Sequence, residues 1–419
     1  MAAGYLEILR ARHAARLLAG TLVGRLPNAT GAIAIVLFVR AEGGSYTLAG
    51  ALAAVYGVAN AVGQPLLGRL VDLRGQPRVQ LPAALAAALA MAVFAFTGTD
   101  PLALAHVSVA AAGLFTPPLE GGLRALWPSV LRREDQVHTA YAMDAVAQEV
   151  MFAVGPLLVT LCTSLWSAQA ALLVLNALGV LGALTVVLSP PSRAWRSAPR
   201  EAHWLGALRS PGLLVLLGAF LFVGIALGSI TVAAVPYADD HGGDVVYGWL
   251  MAAVGLGALV GGVAYGARQW VGVPERRLRV LVAFLAVCYL PLMLLPGAVA
   301  MVALTALAGV FLAPVLACAF VIIDRHAPRG TVTEAFSWLV TTFTVGHSLG
   351  TAVAGPVVEA GGAQWGFVVP GAAGAVALVV LLATGRVLAL PAGSGLVAAS
   401  SENDPNRAAE PRFSSGDRA

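Results

Sequence analysis

Five ionisable residues stand inside runs that otherwise suit a hydrocarbon environment. Arg25 falls in the apolar run 16–39, Glu120 and Arg124 in the run 102–126, and Asp144 and Glu149 in the run 140–162. Charge placed that deep is costly and is a functional candidate by default. If the runs are helices, Arg25 and Glu149 each lie about nine residues in from the same side, roughly 13 Å deep at the helical rise, so they could meet. Arg124 and Asp144 are shallower. Glu120 precedes Arg124 by four residues, which puts both on one helix face. Two cations face three carboxylates, so one acid is in excess. An acid left unpaired in a low dielectric takes up a proton more readily. Glu149 is the first candidate for that proton site and Glu120 the second. The rival reading is a static ion network tying the three runs together.

Other chemistry is sparse. His106 and His347 lie within apolar runs, where a neutral imidazole bonded to a neighbour is the simpler state. His347 belongs to a polar stripe with Thr341, Thr344 and Ser348 that could line an aqueous path. No Cys/His cluster has metal spacing, so no metal is expected. All 25 basic residues are Arg; with no Lys there is no Gly-x-x-x-x-Gly-Lys phosphate loop, and ATP-driven work by this chain alone is not expected. Cys162, Cys288 and Cys318 sit far apart in apolar runs and act as small hydrophobes. No nucleophile–base pairing has a recognisable spacing, and enzymatic activity is not expected.

These side chains need a membrane to be embedded in, and composition supplies it. The chain is 59% hydrophobic and 11% charged, with mean hydropathy +0.83. A soluble protein carries about 25% charged residues. Spans of roughly 20 apolar residues fall near 16–39, 46–68, 79–97, 102–126, 140–162, 168–189, 212–236, 247–267, 278–296, 298–323, 333–357 and 364–389. Twelve helices, numbered 1 to 12, give an all-α membrane protein. Arg69, Arg74, Arg78, Arg132, Arg133, Arg193, Arg196, Arg200, Arg209, Arg268, Arg276, Arg277, Arg279, Arg325 and Arg329 then share one side, while the opposite loops hold Arg40 and the acids Asp239, Asp240 and Asp244. That bias puts both termini in the cytoplasm. It also accounts for the net charge of +4 without nucleic acid as a partner. The first 15 residues show no cleavage site, so helix 1 is expected to target the membrane itself. Abundant Ala and Gly with an all-Arg basic set point to a GC-rich bacterial genome, as in actinobacteria.

The loop Gly68-Arg-Leu-Val-Asp72-Leu-Arg74-Gly75-Gln-Pro-Arg78 joins helices 2 and 3. Its Gly-x-x-x-Asp-x-x-Gly-x-x-Arg pattern resembles the signature loop of the major facilitator superfamily, secondary transporters that work by alternating access. The resemblance implies that Asp72 caps the N-terminus of helix 11 across the interface of two halves when the inner side is closed. It also implies that Arg74 and Arg78 pair with acids at neighbouring helix ends. Gly68 would let helix 2 approach helix 11, and Gly75 would permit the turn.

An internal repeat supports two pseudo-symmetric six-helix bundles. Gly63 and Gly68 match Gly257 and Gly262 at a shift of 194, which sets Asp72 on Gly266 and Arg74 on Arg268. Gly113 matches Gly309 at 196, and Gly155-Pro156 matches Gly355-Pro356 at 200, a helix-packing pair that resembles a shortened antiporter motif. The Arg that many drug/proton antiporters carry in helix 4 would fall at Val109. The expected division is a first bundle 1–189, a cytoplasmic linker 190–211, a second bundle 212–390 and a disordered tail 391–419.

A solute site is expected between the bundles near the midplane, lined by helices 1, 4, 7 and 10. Asn28, His106, Ser229 and His347 are its polar candidates. Low polar content argues against a sugar and for a drug-like or metabolite cargo. The expected function is proton-coupled efflux of a small organic compound by a monomer in the bacterial plasma membrane, with no cofactor. The alternative is import of a nutrient or organic anion bound by Arg25. A non-transporting sensor or scaffold is the reading from another class.

Overall fold

A computed structural model describes residues 2–199, 203–268, 270 and 272–389. Arg200 and the segment 391–419 expected as a tail lie outside the described residues. Eleven helical runs are long and apolar enough to span a membrane: Ala14–Ala41, Tyr46–Arg74, Gln76–Thr97, Leu102–Val130, Glu134–Leu165, Ala168–Val187, Pro211–His241, Asp244–Gly266, Pro274–Leu294, Ala298–His326 and Val332–Ala383. The last is 52 residues long and is broken at Gly362, whose φ of 74° is not helical. Divided there, it supplies helices 11 and 12 and completes twelve spans in two six-helix bundles.

Local chemistry sets the helix ends. Ser45, Ser167 and Ser210 each accept the backbone N–H three residues on, at 3.1, 3.0 and 3.3 Å, and so start helices 2, 6 and 7. The expected acidic loop between helices 7 and 8 shrinks to Gly242-Gly243, both at positive φ, and Asp244 opens helix 8 where a carboxylate meets the helix dipole. Three spans are interrupted. Helix 1 breaks at Arg25, just before Pro27; helix 4 breaks over 115–118, which contains Pro117 and Pro118; helix 10 breaks at 310–311, ahead of Pro314. Large apolar side chains such as Leu89, Phe96 and Val260 are exposed on the outer faces, as lipid contact requires.

Glycines let the backbones of each bundle touch. A methyl group on Gly63 would land on the Leu114 carbonyl, and one on Gly113 on the Tyr56 carbonyl, sealing helix 2 to helix 4. Gly261 meets the Val310 carbonyl and Gly309 the Val254 carbonyl in the same way between helices 8 and 10. This corrects the register of the repeat. Gly63 corresponds to Gly261, not Gly257, a shift of 198 that also relates the starts of helices 2 and 8, Tyr46 and Asp244. Gly266 is therefore the counterpart of Gly68, and Trp270 that of Asp72. Gly155 packs helix 5 on helix 1, with a methyl there 3.2 Å from Thr30 Cγ2, but Gly355 faces open space and seals nothing. Pro156 and Pro356 both lie inside their helices.

Ahead of helix 1 runs a short N-terminal helix, Ala2–Arg10. Between the bundles the chain forms Pro190–Ala194 and a 3-10 turn, Gly206–Arg209.

Candidate functional site

The break in helix 1 places Arg25 opposite the second segment of helix 4 and the first half of helix 5. There four side chains close a ring. Arg25 Nε lies 2.9 Å from Glu120 Oε1 and its Nη1 3.4 Å from Asp144 Oδ1. Arg124 Nε lies 2.5 Å from Asp144 Oδ2 and its Nη2 3.4 Å from Glu120 Oε2. Each arginine thus touches both acids, and Gln148 Oε1 accepts a further bond from Arg124 Nη2 at 3.2 Å. Arg124 and Asp144 are fully buried. Such a ring is stable only as a set, because removing one charge strands its partners in low dielectric. The second bundle closes it from below: Arg124 Cζ sits 3.8 Å from the centre of the Phe320 ring in helix 10.

The pairing expected between Arg25 and Glu149 does not form; Arg25 spends its donors on Glu120 and Asp144. Glu149 is the carboxylate left over. It is 8% exposed and has no hydrogen bond or ion pair among the described residues. The four-membered ring is formally neutral, so Glu149 is the acid of this cluster left without a direct ion pair.

Above the ring opens a cavity of about 520 Å³. Arg25, Glu120 and Gln148 form its polar end, joined by Asn28, Asn60 and Gln64; Met151, Val340, Phe343, Val345 and Leu349 line its walls. Its lining comes from helices 1, 2, 4, 5 and 11, not from 1, 4, 7 and 10. Of the expected cavity residues, Asn28 is there and accepts from Asn60 Nδ2 at 2.6 Å. His106 lies outside it, its Nδ1 2.8 Å from the Leu102 carbonyl. Ser229 is buried and bonded to the Ala226 carbonyl of its own helix. His347 is set against helix 7, where Gly224 and Gly228 touch its backbone. Its stripe partners Thr341, Thr344 and Ser348 do line the cavity. Asn60 and Gln64 escaped the sequence reading although they carried a signal: Asn60, Gln64, Gly68 and Asp72 recur every four residues, one face of helix 2.

At the arginine-rich end of the molecule that face reaches the other bundle. Asp72 Oδ1 accepts Thr333 N–H at 3.1 Å and Oδ2 accepts Glu334 N–H at 2.9 Å. Helix 11 begins at Val332 without a side-chain cap of its own, so the carboxylate supplies one from the opposite half. Gly68 makes the approach possible: a methyl there would stand 2.7 Å from Ser337 Oγ and 3.1 Å from Glu334 Cα. Gly75, at φ 84°, turns the chain into helix 3. Arg74 and Arg78 form no ion pair among the described residues, contrary to expectation; both are exposed. Arg69 takes the pinning role instead and donates to the carbonyls of Trp204 and His203, at 2.6 and 3.3 Å, in the segment between the bundles.

The sequence matches the family model described as Major Facilitator Superfamily over residues 17–303. No curated protein matches it. Among solved structures, a bacterial homologue of the iron transporter ferroportin in an outward-facing state superposes with a TM-score of 0.73 at 15% identity, over 90% of this chain and 100% of that one. The human organic anion transporter MFSD10 gives 0.65 at 17%, over 87% and 99%. The Escherichia coli fucose:proton symporter FucP gives 0.67 at 16%, over 90% and 98%. At these identities the likeness is one of fold, and the fold is that of transporters rather than enzymes.

Proposed function

This chain belongs to the major facilitator superfamily, and on that premise we propose that it exports a small amphipathic organic compound in exchange for protons, by alternating access. One observation carries the coupling: Glu149 is a buried carboxyl with no partner, beside an ion ring that is already neutral. Held out of direct contact with both arginines, it is free to exchange a proton as the site opens to either side. Glu120 and Asp144 hold the ring together, and Arg25 presents it to the cavity. Asp72 on helix 11 latches the inner side, so the arrangement described is outward-open, with the arginine-rich face and both termini in the cytoplasm of a bacterial cell. The cargo spans a polar end and an apolar wall, which suits a drug-like compound or metabolite.

The amides of Asn28, Asn60, Gln64 and Gln148 favour a second reading. They give the cavity more hydrogen-bonding capacity than the sequence promised, as proton-coupled uptake of a polar nutrient or of an organic anion held by Arg25 would use. A compound-sensitivity panel in a host stripped of its own pumps separates the two. Resistance that collapses with a protonophore supports export; solute accumulation supports import. In proteoliposomes, Glu149→Gln is expected to abolish proton-driven transport while the protein still folds and binds solute. Unchanged transport in that variant would sink the assignment.

A further inference from the structure

Where the first bundle has Asp72, the second has Trp270, and Trp270 turns back on its own bundle. Its indole N–H donates to the Tyr265 carbonyl at 2.8 Å and its ring stacks on Tyr265 with centroids 4.9 Å apart. Helix 5, the counterpart of helix 11, starts at Arg133 without a side-chain cap, and Asp135 in its first turn pairs with Arg133.

Another segment crosses at this point. The N-terminal helix Ala2–Arg10 rests on helix 5, with Ile8 buried and Glu7 accepting from Gln136 Nε2 at 2.8 Å. From that anchorage Tyr5 reaches helix 8 of the other bundle. Its hydroxyl lies 3.0 Å from the Val263 carbonyl and 3.3 Å from that of Gly262. Val263 is in the last turn of helix 8, and its carbonyl, which already accepts the Ala267 N–H at 3.0 Å, takes the Tyr5 hydroxyl on its second lone pair. The hydroxyl also fills the face left open by Gly266: a methyl group there would land on it. Gly68 admits helix 11; Gly266, its counterpart, admits Ala142 of helix 5 and, beside it, Tyr5. The chemistry is complementary, a carboxylate on a helix N-terminus in one place and a hydroxyl donor on a helix C-terminus in the other.

We propose that the N-terminal helix is a second inner latch, with Tyr5 as the residue that holds it, replacing the acid that the second bundle lacks; this rests on the alternating-access reading above. The strap is tied to the first bundle by chain continuity and by Glu7–Gln136. Moving helix 8 away from helix 5 to open the inner side therefore breaks the Tyr5 bonds. Burial pushes the Tyr5 phenol up to about 12, so it stays a donor throughout the physiological range.

Spin labels at the exposed Arg132 and Arg276, one in each bundle, report the opening as a distance in the full-length protein. The protein is placed in lipid nanodiscs with its three cysteines replaced. Tyr5→Phe is expected to raise the ratio of inner-open to inner-closed molecules roughly fivefold, the effect of one hydrogen bond. Gly266→Ala shifts the ratio at least as far, because its methyl displaces the hydroxyl and also meets Ala142 Cβ of helix 5, and the double variant goes no further than Gly266→Ala alone. Asp72→Asn serves as the reference for a broken latch. A wild-type distance distribution in Tyr5→Phe, with Asp72→Asn shifted, overturns the strap and leaves the gating reading standing, whatever Gly266→Ala shows. No shift in Asp72→Asn overturns the gating reading, and the strap falls with it.

Discussion

Arg124 in helix 4 and Phe320 in helix 10 occupy the same place in the two bundles, 196 residues apart, as Gly113 and Gly309 do. They also touch, the guanidinium carbon lying 3.8 Å from the ring centre. The pseudo-twofold axis passes between a cation and the aromatic face that covers it. Around this pair the bundles diverge. Glu120 has Leu316 as its counterpart, and helix 7 carries no charge between Pro211 and Tyr237, where helix 1 has Arg25. Helix 11 carries Thr341, Thr344 and Ser348 over the stretch where helix 5 carries Asp144, Gln148 and Glu149. Helix packing is duplicated; charge is not. One bundle holds the ionisable machinery, and the other offers it a low-dielectric lid and an apolar wall. An asymmetric division lets a change of protonation in one bundle be felt as a change of fit at the interface.

The sharpest way to break this comparison is to exchange the roles of the axial pair. Arg124→Ala strands Glu120 and Asp144 on Arg25 alone and is expected to cost roughly 3–5 kcal/mol. Phe320→Leu keeps the ring of charges and loses only the aromatic face, roughly 1–2 kcal/mol. Thermal unfolding of the purified protein checks both, and equal losses would mean that the charges add nothing beyond packing. The duplicated seams come next. Gly63→Ala and Gly261→Ala each push a methyl into a carbonyl and should cost a similar 1–3 kcal/mol or so. A large difference between them in the same melts would show that the two seams are not equivalent. Smallest is Gly355→Ala, expected to stay within about 0.5 kcal/mol because nothing faces it. A clear loss there would restore the packing role that its match with Gly155 suggested.

Much of the fold could be read from the chain because a bilayer demands long apolar runs and an arginine-marked side. The gating loop was readable through its resemblance to the superfamily's signature loop, which implied that Asp72 caps helix 11, as the bonds to Thr333 and Glu334 bear out. The repeat register was one turn out at helix 8 for a physical cause. Gly257 and Gly261 share a helix face, so a slide of four residues keeps glycine on glycine. Pairing inside the charged cluster was less accessible. Depth along a helix suggested that Arg25 and Glu149 meet, but the break at Arg25 turns the side chain toward Glu120 and Asp144. The strap was illegible, since nothing in Tyr5 alone names a partner more than 250 residues away.

The carbonyl-to-glycine seams have a consequence in genetics. Every single-base change that replaces glycine by another residue adds a side chain, so Gly63, Gly113, Gly261 and Gly309 have no neutral amino-acid neighbours. Natural variation in this chain should therefore drift around the cavity, where Val345 and Leu349 have room to change, while these four positions stay put. Cargo can evolve quickly on a frame that hardly can.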